Sequence, residues 1–413
     1  MTGTFQTAKV CLLAGVTALA SAGLASAEPT KAEVMHWWTS GGESAAVKVF
    51  ADQYAKAGGT WVDSAVAGGA AARTAIINRL VGGKPATMMQ FNTGKQFDEL
   101  VSNNLLADVS TLTDTAAWKK FIPAAFIDAV TRNGKVYAVP VNIHGQNWMW
   151  YNKAVFDKAG AMPPGNASEL IAALDKIKAS GAIPLALGGQ KWQEKSLFNS
   201  IMASQSKDLY AAFYSKHDAA TVASADFRAV AEAYGKLRGY VDQGSPGRNW
   251  NDATAMVISG KAGVQFMGDW AKGEFIGANQ TPGKEYGCAV MGQGYVMGGD
   301  VFVFAASTDA GIVAAEKVLA GVLMDPETQI KFAQKKGSIP IRTDIDVSSL
   351  DACAQTGVKM VSDAVRQVPA AEMLASASLN GAIEDTISEF WNKSAITPEQ
   401  FIAKMTAVLK DAN

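Results

Sequence analysis

EVMHWWTSGGESAAVKVFADQYAKAGGTWVDSAVAGGAAARTAIINRLVGGKPATMMQFN, residues 33–92, decides the fold. Glu33 to Trp37 reads as a strand. Glu43 to Lys56 reads as a helix, because Ala46, Val47, Val49, Phe50 and Tyr54 recur near helical spacing. Gly41 and Gly42 break the chain just before it. WVDSAVAG is a second strand and AARTAIINRLVGG a second helix, stopped by Gly82 and Gly83. ATMMQFN is a third strand, followed by the helical GKQFDELVSNN. Strand and helix in alternation imply an α/β chain with a mainly parallel, doubly wound sheet. Ligands of such sheets collect at the loops after the carboxyl ends of the strands. His36-Trp37-Trp38 and Gln90-Phe91-Asn92 both occupy such ends, so two strand ends point at one site.

Outward from this stretch, GKVYAVPVNIHGQNWMWYNKAVFDKAG carries strand-like residues on both sides of 142–146, a candidate crossover. ASELIAALDKIKASG is an amphipathic helix with a glycine stop. Residues 190–280 read as mostly helical, with loops near Gly244–Trp250 and Gly268–Trp270. GYVMGGDVFVFAAS returns to strand, and AGIVAAEKVLAGVLMDPETQIKFAQKKG is helix, turn, helix. Helices are expected near 351–366 and 379–391, and again after Thr397-Pro398. There is no internal repeat or low-complexity tract.

At 413 residues the chain is long enough for two domains of roughly 150 residues each. Its formal net charge is −1; without Lys9, the one charged residue in 1–27, it becomes −2. Neither value suggests a nucleic-acid partner or a basic membrane-binding face. Residues 1–27 have the form of a cleavable signal peptide: Lys9 ends the basic segment, VCLLAGVTALASAGL is the apolar one, and Ala25-Ser26-Ala27 fits the cleavage rule. Cleavage leaves Cys288 and Cys353, which are expected to pair in an oxidising compartment.

The catalytic and metal patterns do not accumulate. The three histidines, His36, His144 and His217, have no metal spacing, and there is no C-x-x-C, nucleophile elbow or phosphate-binding loop. No cofactor, metal or catalytic residue is therefore assigned. Paired carboxylates for sugar hydrolysis need no local spacing, so a secreted carbohydrate-active enzyme stays as an alternative.

The ten tryptophans have a better reading. A sugar offers an apolar C–H face and a rim of hydroxyls; an indole covers the first, while amides, carboxylates and lysine satisfy the second. Trp37, Trp38, Trp250 and Trp270 sit beside loop residues. Glu43, Gln90, Asn92, Asp269 and Asp300 can accept or exchange hydrogen bonds, and Lys336 can donate. Trp61, Trp118 and Trp192 are expected in the core. Neighbouring residues at a strand end point opposite ways, so at most one of Trp37 and Trp38 is core.

With these residues in place, the mature chain resembles the periplasmic solute-binding proteins of carbohydrate ABC transporters over nearly its whole length. The resemblance is carried by GKVYAVP, WMWYNKAVFDKAGAMPP, SGKAGVQFMGDW, MDPETQIKFAQKKGSIPIR and EFWN. HWWTSGGE, NWNDATAM, FMGDWAKGEF and KKGSIPIRTD look like the glucose/mannose-binding subgroup. The resemblance implies two α/β lobes with a hinge and an interlobe ligand cleft. It places one lobe at 28–143 and 304–346, the other at 147–300 and 350–413, and crossovers near 142–147, 299–304 and 345–351.

The resemblance also implies a monomer that holds a monosaccharide, docks on permease subunits in the inner membrane, and could serve a chemoreceptor. Carried over position by position, Trp37 and Trp38 match the tryptophan pair, Glu43 the following acid and Gln90 the glutamine after the third strand. Trp250 and Trp270 match the stacking tryptophans, Asp300 the acid at the returning crossover, and Lys336 the lysine before Gly-Ser-Ile-Pro. Two departures bear on the sugar. Asn92 stands where the family has His or Lys, and ASASLN (375–380) has no His, offering Ser376, Ser378 and Asn380 instead. A disaccharide, a glucoside or another monosaccharide is the alternative to glucose or mannose.

Overall fold

The computed structural model describes residues 1–3 and 30–411, so the expected signal peptide lies almost wholly outside it. Strand β1 (Lys31–His36), helix α1 (Gly41–Lys56), strand β2 (Thr60–Ala65), helix α2 (Gly69–Val81) and strand β3 (Met88–Asn92) follow the alternation read from the sequence. β1 pairs in parallel with β2 and β3, with Val34 opposite Asp63 and Met88. The Asp300–Phe304 strand then pairs antiparallel to β3, which puts Asp300 opposite Asn92 and Phe302 opposite Gln90. Val139–Pro140 closes this five-stranded sheet.

A second, four-stranded sheet contains Tyr286–Val290, Trp148–Asn152, Ala262–Met267 and Ile183–Leu185, in that order. A third sheet lies along the chain's passages between these two. There Asn142–Gly145 and Tyr295–Gly298 pair antiparallel and are flanked by Ile339–Pro340 and Gln367–Pro369. The architecture is thus two α/β lobes joined by strands.

The segment 190–280 is mostly helical, as its sequence suggests, but one strand interrupts it. Ala262–Met267 is a strand buried along its full length, and a strand covered on both faces loses the alternation that identifies it. The expected loop precedes Trp250, which opens the helix Trp250–Ile258, while Gly268–Trp270 leads into a short 3-10 turn at Asp269–Ala271 rather than a loop.

Two aromatic cores hold the lobes. In the first, Phe50 of α1 stacks on Phe332 at 4.4 Å, and Trp38 meets Phe302 edge-on at 5.6 Å. In the second, Phe390 stacks on Phe401 at 4.4 Å, and Phe198 meets Tyr234 edge-on at 5.2 Å. Each such fully buried ring contributes roughly 1.5–3 kcal/mol of transfer free energy. Cys288, on the outer strand of the second sheet, is bonded to Cys353 in the helix Ala352–Ser362, with Cα atoms 6.1 Å apart. The expected pairing is present. Among the described residues no helix is long and apolar enough to cross a membrane.

Candidate functional site

The loops after β1 and β3 meet the strands that pass between the lobes. The backbone N–H of Trp37 donates to Gln90 Oε1 at 3.0 Å, and Gln90 Nε2 donates to Asp300 Oδ1 at 3.0 Å. The register explains this reach. Phe302 faces Gln90, so Asp300 begins its strand two residues beyond, at the carboxyl end of β3. Asn142 completes a clamp on Asp300: its Oδ1 accepts the Asp300 N–H at 2.8 Å, and its Nδ2 donates to Oδ2 at 3.0 Å.

The centre of the network is His144, which is 4 % exposed. Its Nε2 donates to Asp300 Oδ2 at 2.7 Å, and its Nδ1 donates to Asp269 Oδ1. Asp269 Oδ2 in turn accepts the Gly145 N–H at 2.8 Å. Burial disfavours the charged imidazole, but the Asp269 and Asp300 carboxylates outweigh it and raise its pKa to about 9. Asp300 moves the other way. Burial presses its pKa up, while the His144 charge and hydrogen bond, the Lys336 charge and the Asn142 amide carry it below its ordinary value. At neutral pH the centre is therefore an imidazolium between two carboxylates. Asp269 follows a strand of the second lobe and Asp300 opens a strand of the first, so one cation ties both lobes to the crossover strand.

A second polar cluster lies beside it. Ser40 and Glu43 form a capping box at the head of α1, and Glu43 Oε1 accepts from Lys336 Nζ at 2.9 Å. Both side chains are buried. Lys336 also stands 5.2 Å from the centre of the Trp38 ring. Gly337, in a left-handed conformation (φ 88°), joins the two clusters: a Cβ there would lie 2.5 Å from the Asp269 carbonyl oxygen. At the same head of α1 the Gly42 N–H donates to Glu274 Oε1 of the second lobe at 2.9 Å. A Cβ on Gly42 would lie 2.5 Å from the Gly273 carbonyl carbon, so only glycine permits this approach.

The tryptophans divide. Trp37 is half-buried, with Arg73 5.7 Å from its ring centre. Trp270 meets His144 edge-on at 5.0 Å. Trp192, expected in the core, is half-buried 6.3 Å from Trp270 and belongs to the same aromatic wall. Trp38 is 1 % exposed inside the first lobe's core and reaches the polar centre through Lys336. Trp118 is core as expected, whereas Trp61 is half-buried. Trp250 heads its helix, where its carbonyl accepts from Thr254 and Gln265, and it has no ring contact with another tryptophan among the described residues.

Trp37, Gln90, Asp300 and Trp270 thus belong to one network, and Glu43 and Lys336 adjoin it. Asn92 ends β3 opposite Asp300, with its N–H donating to Gln96 Oε1 at 3.1 Å. Of the neutral residues at 375–380, Ser376 caps a helix and the Asn380 amide donates to the carbonyls of Ala371 and Ala375. The sequence reading missed His144, Asn142 and Trp192. NIHGQ was legible as a crossover, which is the signal that could have nominated His144. Its partners, 125 and 156 residues away, carry no local mark.

Chemically, the arrangement sets amides, carboxylates and a lysine beside half-exposed indoles, with both lobes contributing. Comparison with known proteins bears on what such a cleft holds. Residues 38–322 match the family described as "Bacterial extracellular solute-binding protein". A "Probable sugar-binding periplasmic protein" of Brucella suis biovar 1 (strain 1330) is 37% identical, covering 98% of this chain and 97% of that protein. One of the same description from Brucella melitensis biotype 1 is 40% identical over 87% of this chain and 85% of its own length. Among solved structures, a chitin oligosaccharide binding protein superposes with a TM-score of 0.78 at 18% identity, covering 93% of this chain and 99% of that one. At that identity the likeness concerns the fold.

Proposed function

Because the chain belongs to the bacterial extracellular solute-binding proteins, we propose that it is the periplasmic sugar-binding component of an ABC importer, taking a monosaccharide such as glucose or mannose between its lobes. The names of the Brucella relatives support the sugar. The observation that carries the reading is the Gln90–Asp300–His144–Asp269 network, which draws on both lobes and is bounded by Trp37 and Trp270. Trp37, Trp192 and Trp270 cover the apolar face of the sugar. Gln90, Asn92, Asp300, Glu43 and Lys336 exchange bonds with its hydroxyls.

A site built to hydrogen-bond a hydroxyl rejects analogues that lack it more strongly than an apolar pocket does. We take the lobes as 28–143 with 300–346 and 147–299 with 350–413, since the strand Asp300–Phe304 pairs with β3 of the first sheet. They close by hinge bending at the crossovers, and the closed form docks on the permease. Residues 1–27 direct export and are removed.

A larger ligand is the second reading. Asn92 is short, and the one side-chain amide of the 375–380 segment, Asn380, donates to the carbonyls of Ala371 and Ala375, so neither replaces the longer hydrogen-bonding groups that the resemblance implies. Thermal denaturation of the signal-free protein against glucose, mannose, galactose, xylose, disaccharides and glucosides tests both. A ligand at 100 times its dissociation constant stabilises by about 2.7 kcal/mol, a shift of a few degrees for a chain of this size. A shift with glucose or mannose supports the monosaccharide. A shift only with disaccharides or glucosides transfers the proposal to the larger ligand. Turnover of a sugar polymer by pure protein would replace both with an enzyme.

A further inference from the structure

β1 ends at His36, and the next two residues are the tryptophan pair. The backbone N–H of each is met by a side chain. Gln90 Oε1 accepts from Trp37 at 3.0 Å, and His36 Nδ1 accepts from Trp38 at 3.2 Å. Accepting at Nδ1 leaves the ring proton on Nε2, which donates to Asp63 Oδ1 of β2 at 2.7 Å. The same oxygen accepts from the Trp61 indole N–H at 3.2 Å. Register explains the reach: Val34 stands opposite Asp63, and His36, two residues on, shares that face of the sheet. The His36 side chain is 1 % exposed and that of Asp63 54 %. A carboxylate in contact with water thus selects the tautomer, and the buried ring passes that choice to the turn that carries Trp37.

We propose that His36 is a positioning residue: by accepting the Trp38 N–H it fixes the turn that presents the Trp37 indole to the sugar. The inference rests on the sugar reading above. Trp38 is held by its core neighbours, whereas the half-buried Trp37 depends on the turn for its place. Without the Nδ1 acceptor, the Trp38 N–H is a buried donor lacking its partner, and the backbone shifts to reach water. Binding must then restore the turn, which lowers affinity by about tenfold, the scale of one lost hydrogen bond. Asparagine can take over this task. Its side-chain oxygen stands as many bonds from the backbone as Nδ1 and closes the same turn onto the N–H two residues on.

The test pairs calorimetric titration of the signal-free protein with hydrogen exchange at the Trp38 amide in the absence of sugar. The ligands are glucose, mannose and maltose, and the proteins are wild type, His36→Leu and His36→Asn. His36→Leu should bind about tenfold more weakly than wild type and exchange the Trp38 amide faster. His36→Asn should keep both the affinity and the protection. Wild-type affinity in a folded His36→Leu overturns the proposal, and so does a Trp38 amide that stays protected in it. A loss equal in the two variants assigns His36 to packing or to its bond with Asp63 and also overturns it. Should His36→Leu fail to fold, His36→Asn decides alone: wild-type affinity and protection support the turn, and their loss overturns it. A wild type that binds none of the three sugars, with its Trp38 amide protected as expected, removes the sugar reading and the role given to His36 with it.

Discussion

Replacing His144 with glutamine keeps a hydrogen-bonding side chain between Asp269 and Asp300 and removes the cation. The magnitude follows from linkage. The folded pKa is about 9, against an ordinary value of 6.5. A difference of about 2.5 units corresponds to roughly 3 kcal/mol of folding free energy. The group is raised, so this contribution is fully present below the unfolded value of 6.5, diminishes as pH rises, and is gone once pH passes the folded value near 9.

Urea unfolding of wild type and His144→Gln at pH 6, 7.5 and 9.5 measures it. The wild-type advantage should be largest at pH 6 and about 3 kcal/mol smaller at pH 9.5. Asp300 acts in the opposite sense: its lowered pKa adds stability that is lost as pH falls through the folded value, well below this window. A difference between the two proteins that is the same at pH 6 and pH 9.5 would refute the reading of His144 as a charged hub.

Three further outcomes follow from the same geometry. Trp270→Ala should weaken sugar binding at least about tenfold while leaving the protein folded, since the indole lies edge-on to His144 and half-exposed; unchanged affinity in calorimetry would take Trp270 out of the site. Lys336→Met should cost about 3–5 kcal/mol in chemical denaturation, because it strands Glu43 without its partner in a buried place. Adding Glu43→Gln should recover much of that loss, and a double variant no better than the single one argues against a shared interaction. Reducing the Cys288–Cys353 bond, which closes a loop of 65 residues, should lower stability by about 4 kcal/mol in the chain-entropy account; identical melting with and without reductant would mean that the unfolded chain gains nothing from being freed.

The sequence was legible wherever the deciding physics is local. The glycines that stop α2 give themselves away by position, whereas the capping box of Ser40 and Glu43, which starts α1 at Gly41 rather than Glu43, went unread. Alternating strands and helices between 31 and 92 were enough for the α/β class, and the strand ends at Trp37 and Gln90 were enough to aim at one place. That aim rests on a general property of parallel sheets. Legibility failed where burial erases pattern: Ala262–Met267 has no alternation because both of its faces are covered, so the second lobe's central strand passed for part of a helical region.

Legibility also failed where a residue's role depends on distant charge. A lone histidine on a strand reads as structural until Asp269 and Asp300 are brought to its two nitrogens from opposite lobes. Trp37 and Trp38 show the limit from the other side. Their adjacency says that one is core and one is not, because neighbouring side chains leave a strand on opposite faces. It takes Phe50, Phe302 and Phe332 to decide that Trp38 is the buried one. The same enclosure brings Lys336 over the Trp38 ring and hands its charge to Glu43 and Asp300. The core tryptophan therefore acts on the polar centre through the lysine it supports, while its neighbour remains free to meet a ligand directly.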